Sequence, residues 1–191
     1  MTNDKQVHDD LSYVRSVVHR AEGRFGNPAT TYFLWAVITF FGFAIIDFAP
    51  EKTGFYWMIA GPLGGVLSGI LGYRAGRALG QSSEREGRVQ AMHWTGLMAA
   101  IFLLVPLVAT RVVAVDDFPR LTLLVVGLSY YLAGVHTDRR FIPLSFVLAG
   151  CYILSVFARD LPHLWTITAA ILAASLAAAG LFAAARARRT S

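Results

Sequence analysis

The sequence predicts an all-α, polytopic transmembrane helix bundle, with six spans arranged as three hairpins and an amphipathic helix before them. Three observations carry this. Of 191 residues, 55% are hydrophobic and only 15% charged, against the roughly 25% charged residues usual in a soluble domain. The apolar residues fall into blocks of about 20, the length a helix needs to cross hydrocarbon. The blocks run continuously, without the alternation of a membrane β-barrel, so helices are the way every backbone group is satisfied. The expected organisation is an interfacial segment 1–29, a bundle 30–185 and a basic tail 186–191.

Residues 4–25, DKQVHDDLSYVRSVVHRAEGRF, set Leu11, Val14, Val18, Ala21 and Phe25 at helical spacing. Asp9 or Asp10 can cap this helix, and Gly26-Asn27-Pro28 ends it. It is too polar to span and reads as a helix at the membrane surface. Its four acidic and four basic residues balance, so packing against the bundle or headgroups is expected, with partner binding as the other reading. No apolar run of the signal-peptide kind occurs in the first thirty residues.

Six spans follow, at 32–48, 55–74, 93–115, 121–136, 141–157 and 164–184, the third kinked at Pro106. With the N-terminus inside, the inner segments hold Lys5, Arg15, Arg20, Arg24, Arg74, Arg77, Arg85, Arg88, Arg139, Arg140, Arg186, Arg188 and Arg189. The outer ones hold Lys52, Arg111, Arg120 and Arg159. Thirteen against four places both termini in the cytoplasm. Abundant alanine and arginine suit a high-GC bacterium, so the expected location is a bacterial inner membrane. The lipid bilayer is the first expected partner.

The second span carries GPLGGVLSGILGYRAGRALG, residues 61–80. Gly61, Gly65 and Gly69 step by four, and Gly72, Gly76 and Gly80 repeat the step after a shift of three. These spacings keep the glycines on one helix face. In water each would cost about 1 kcal/mol relative to alanine. In a bilayer such a face lets another helix approach closely. The ridge predicts a contact within the molecule, or one with a second copy or another membrane protein.

The outer turns repeat a pattern: Asp47-Phe48-Ala49-Pro50, Asp117-Phe118-Pro119 and Asp160-Leu161-Pro162. Aspartate opening a turn and proline starting a helix are ordinary local chemistry, so convergence of three hairpins is the simpler reading and triplication the other. Trp35, Trp57, Trp94 and Trp165, with Tyr32, Tyr56 and Phe141, lie near span ends and read as an interfacial aromatic belt.

Membrane sites usually carry ionisable groups at depth, and here none lies mid-span in the first, second, fifth or sixth segment. Arg111 is near the outer end of the third, within reach of Asp116 or Asp117. Arg74, Arg77, His93 and His136 form a candidate cytoplasmic-side polar cluster. The two histidines could ligate haem or, with His8 or His19, a metal, and Asp138 is the nearest carboxylate. The primary expectation is no cofactor, no metal site and no catalytic residue. Cys151, the lone cysteine, reads as a small buried hydrophobe.

GGVLSGILGY around Ser68 superficially resembles the serine motif of rhomboid proteases, which would imply a nucleophilic serine. No later span carries a histidine at depth to activate it, so proteolysis is not expected. The glycine spacing is not that of a phosphate loop, and the basic tails lack the interleaved aromatics of a nucleic-acid platform. The expected function is therefore association: a non-enzymatic accessory or scaffold protein acting through helix contacts, with itself or another membrane protein. The alternatives are a small permease or channel, with Ser129, Tyr130 and Tyr131 along its path, and a membrane enzyme or haem protein using His93 and His136.

Overall fold

The computed structural model describes residues 29–78 and 84–190 and contains no strand among them. Six α-helices follow in order: α1 (Ala29–Phe48), α2 (Pro50–Ala78), α3 (Glu84–Ala109), α4 (Phe118–His136), α5 (Phe141–Phe157) and α6 (Leu164–Thr190). A 3-10 turn, Val115–Asp117, precedes α4. The predicted amphipathic helix within residues 4–25 lies outside the described residues, as does Gly80. All helices except α5 are long and apolar enough to cross a membrane; α5 is apolar but has 17 residues. The molecule is thus a multi-pass helical membrane protein.

Several boundaries move from their expected places for local reasons. Helix α2 starts at Pro50, where the missing N–H of a first-turn residue leaves nothing unsatisfied. Helix α3 starts earlier than 93 and stops at Ala109, six residues before the predicted end at 115. There Arg111 adopts a left-handed conformation with φ 60°, and Val113 N–H bonds back to Leu107 O at 3.1 Å. A left-handed residue just past the last turn is a usual helix stop. At the other end of the chain, α6 continues through Arg186, Arg188 and Arg189, so the expected tail is helical. Alanine and arginine are strong helix formers, and positive charge suits a helix C-terminus.

The most extensive packing joins α1 to α6 and α4 to α5. Helices α1 and α2, α5 and α6, and α3 and α4 also pack, giving the neighbour order α2–α1–α6–α5–α4–α3. Small residues make the two main seams. A Cβ on Gly180 would sit 3.1 Å from the Phe33 ring, and one on Gly127 would sit 3.3 Å from Leu148 Cβ. One buried cluster gathers Phe43, Leu123, Cys151, Trp165 and Ala169. The other gathers Tyr32, Ala133, Phe141, Leu144 and Leu176. Burial falls off sharply outward: 28% of the apolar stretch is buried in α1 and in α6, against 11% in α2 and 6% in α3. Phe41, Phe102, Leu103, Phe146 and Phe182 are exposed, as suits helices whose solvent is as apolar as leucine.

Candidate functional site

Both ends of the bundle carry polar chemistry, and the glycine ridge runs between them. At the end holding the three aspartate turns, Asp47 of α1 caps a different helix. Its Oδ2 accepts hydrogen bonds from the Thr166 N–H and hydroxyl, both at 2.7 Å, and Oδ1 lies 3.4 Å from the Trp165 nitrogen. Arg120, near the start of α4, donates from Nε to Ser155 O at 2.9 Å and from Nη1 to Asp116 O and Asp117 Oδ1, both at 2.8 Å. Its guanidinium lies 5.5 Å from the centre of the Trp165 ring, and that ring stacks on Phe43 at 6.0 Å. Arg159 adds a contact to Asp117 at 3.7 Å. Asp117 is therefore engaged by Arg120 and Arg159, where the sequence suggested Arg111. These contacts bring the start of α4, the end of α5, the end of α1 and the start of α6 to one end.

The opposite, arginine-rich end holds an aromatic cluster. Phe141 meets Tyr130 at 5.4 Å, Trp94 at 5.7 Å and Tyr32 at 6.5 Å. His93 packs edge-on to Trp94, and its Nε2 is 3.1 Å from Ser129 O. A carbonyl only accepts, so Nε2 carries the proton and the ring pins α3 to α4. Ser129 lies seven residues before His136 on α4, roughly 10 Å along the axis, so His93 is about two turns deeper than the exposed His136. Arg77 lies over Tyr73 of its own helix at 5.7 Å, and Arg74 is exposed. Of the four residues of the candidate polar cluster, Arg74 and Arg77 thus lie one turn apart on α2, His93 on α3 and His136 at the end of α4. Among the described residues, no three His, Cys, Asp or Glu side chains gather as a metal site would need.

The tryptophans expected to form an interfacial belt turn inward. Trp35 Nε1 donates to Ser68 Oγ at 2.9 Å, Trp57 Nε1 to Gly42 O at 3.2 Å, and Tyr56 OH to Ile38 O at 2.8 Å. In hydrocarbon a free N–H or O–H is costly, so each ring finds an acceptor on the facing helix. Ser68 in turn donates to Gly64 O at 2.7 Å, so the hydroxyl in the protease-like stretch is committed to the α1–α2 contact.

That contact explains the state of the ridge. The small residue α1 requires is Gly64, which is not on the ridge: a Cβ there would lie 2.7 Å from Ile38 Cδ1 and 3.3 Å from the Trp35 ring. Gly65 is one residue on, about 100° round the helix. At Gly61, Gly65, Gly69 and Gly72 an added Cβ would meet nothing within 4 Å among the described residues; Gly61 is buried and the other three are exposed. Gly76 continues the line within α2. On α3, Gly96 is open in the same way. A separate groove of about 400 Å³ lies between α1 and α6, with Phe33, Val37 and Phe41 on one wall and Ala173, Ala174 and Ala177 on the other. It offers no chemistry beyond apolar contact.

What sequence reading missed is at the aspartate-turn end. Asp47 and Arg120 were visible as turn residues, yet nothing local signals that they tie together helices more than thirty positions apart. Comparison with protein-family models, with curated proteins and with solved structures finds no match to this chain.

Proposed function

We propose that this is a non-enzymatic protein of a bacterial inner membrane, crossing six times with both termini in the cytoplasm, whose work is to associate with another membrane helix. The surface it uses is the glycine face of α2. The observation that carries the reading is that Gly65, Gly69 and Gly72 are left open among the described residues. A helix with so little side chain on one face fits the close backbone approach that drives association in lipid. Six crossings are supported by the antiparallel placement of α4 and α5, which the Arg120–Ser155 and Arg159–Asp117 contacts pin at one end. The arginine bias then sets the cytoplasmic side.

Replacing Gly65 and Gly69 with leucine tests this. In mild detergent, native mass measurement of the wild type is expected to show an assembly, with itself or with a co-purifying membrane protein. The double variant is expected to lose it while keeping its thermal unfolding midpoint, since both positions are exposed and an added Cβ at either meets nothing within 4 Å among the described residues. An unchanged assembly in the variant would refute the ridge as the interface.

A further inference from the structure

The apolar groove between α1 and α6 has the dimensions of a single hydrocarbon chain. On α1 it runs from Phe33, one turn inside the arginine-rich end, to Phe41 near the middle of the helix. Those eight residues rise about 12 Å, close to the roughly 15 Å of hydrocarbon in one leaflet. Phe33, Val37 and Phe41 are exposed, so the groove opens sideways to lipid. A dry cavity of about 150 Å³ holds the six carbons of benzene. On that scale the groove's volume of about 400 Å³ has room for about sixteen carbons. A helix, about 10 Å across, fills roughly twice that volume over the same length, so a single chain suits the groove better than a helix does.

Charge at the rim says what such a chain carries. Phe33 packs at Gly180, where a Cβ would lie 3.1 Å from its ring, and α6 continues from there into its arginines. Arg188 is eleven residues beyond Ala177, the last groove residue on α6. Eleven residues are three turns and about 20°, so Arg188 stands over the groove, whereas Arg186 is about 180° round from Ala177. Arg188 is exposed, and side chains on a helix lean towards its N-terminus, which here is towards the groove. Its Cα is about 12 Å beyond Gly180 along the axis. A phosphate stands roughly 6 Å outside the hydrocarbon, within the compass of an arginine leaning back from that position. We propose that the α1–α6 groove holds one acyl chain of an anionic phospholipid and that Arg188 takes its phosphate. The glycine face of α2 has no part in this site, which stands or falls separately from it.

Native mass measurement of the full chain in mild detergent tests the site, with phosphatidylglycerol and phosphatidylcholine of identical acyl chains as probes. The wild type is expected to retain one phosphatidylglycerol about fivefold more strongly than one phosphatidylcholine. Arg188→Gln is expected to abolish that preference, and Arg186→Gln to keep it. If Arg188→Gln keeps the preference, or Arg186→Gln loses it equally, the lipid meets the basic helix end as a whole and the proposal is overturned. Ala174→Leu fills the groove from an exposed position on its wall, and is expected to lower retention of both lipids. Undiminished retention in that variant would place the chain elsewhere and overturn the proposal. So would a protein assembly lost in Ala174→Leu, since the groove would then be a contact between chains. Arg188 lies in the last turn of α6, so its variant stays readable even if the groove variant folds poorly.

Discussion

Replacing Asp47 with alanine measures how far the bundle depends on one carboxylate at a span end. Asp47 sits at the close of α1, yet it caps α6 through two 2.7 Å hydrogen bonds, from the Thr166 N–H and hydroxyl, and a longer 3.4 Å contact to the Trp165 nitrogen. The long contact adds little. A helix cap is worth about 1 kcal/mol, and a hydrogen bond to a charged acceptor about 1.5 kcal/mol. A negative charge at a helix N-terminus adds about 0.5 kcal/mol. Interhelical bonds in membranes average nearer 0.6 kcal/mol, which pulls the sum down, so the expected loss is about 2 kcal/mol. Asp47→Asn keeps an acceptor but not the charge and should lose about half of that. Unfolding in mixed micelles of increasing dodecyl sulfate, followed by tryptophan fluorescence, reads the change. Asp160→Ala is the control: this aspartate opens the third turn but is exposed, and surface changes away from specific contacts stay within about 0.5 kcal/mol. If Asp47→Ala loses no more than Asp160→Ala, the cap contributes nothing and the account of the aspartate-turn end fails.

Two further outcomes follow from close contacts. A Cβ at Gly134 would lie 2.9 Å from the Ile142 backbone nitrogen, and one at Gly42 would run into the Trp57 ring. Each alanine should cost about 1–3 kcal/mol through overpacking, whereas Gly150→Ala, with nothing within 4 Å, should be neutral or better in the same unfolding assay. Cys151 is 2% exposed within the inner cluster, so maleimide labelling should be at least about a hundredfold slower in the folded protein than after denaturation, as expected when access needs substantial opening of a packed core. Equal rates would show that the α5 core is loose.

The fold class was legible because it depends on composition and block length alone. Helix α5 appears at 141–157, as expected, where Arg139-Arg140 and Arg159-Asp160 bracket an unbroken apolar run. Helix α3 was not bounded correctly, since Val112, Val113 and Val115 are apolar enough to extend a span but follow a left-handed residue that ends the helix. Hydropathy reports where a chain prefers lipid and says nothing of its dihedral angles. The tryptophans show a second limit. Position along the sequence gave their place near span ends, but whether a ring faces outward or a neighbouring helix depends on which helix lies beside it. Trp35 turns to Ser68 and Trp57 to the Gly42 carbonyl, and these pairings are set by assembly of the bundle. Asp47 makes the same point, because its partners are 118 and 119 residues away.

The two faces of α2 obey different logic, and the contrast bears on what the ridge is for. The face towards α1 is fully accounted for by Gly64, Ser68 and Trp57, where each small residue or hydrogen bond has a named counterpart on α1. A face meant only for lipid needs no such economy of side chain, since leucine meets acyl chains well and favours the helix more than glycine does. The ridge gives up both advantages along several turns, and among the described residues an added Cβ at Gly61, Gly65, Gly69 or Gly72 would meet nothing within 4 Å. Nor does α3, the next helix in sequence, come in to cover it, because α3 packs on α4 at the far end of the neighbour order. This small face belongs to a helix that is only 11% buried, and among the described residues no side chain packs on it at Gly65, Gly69 or Gly72. On the proposed reading, close approach by a helix from another molecule is the physical condition under which its composition becomes favourable.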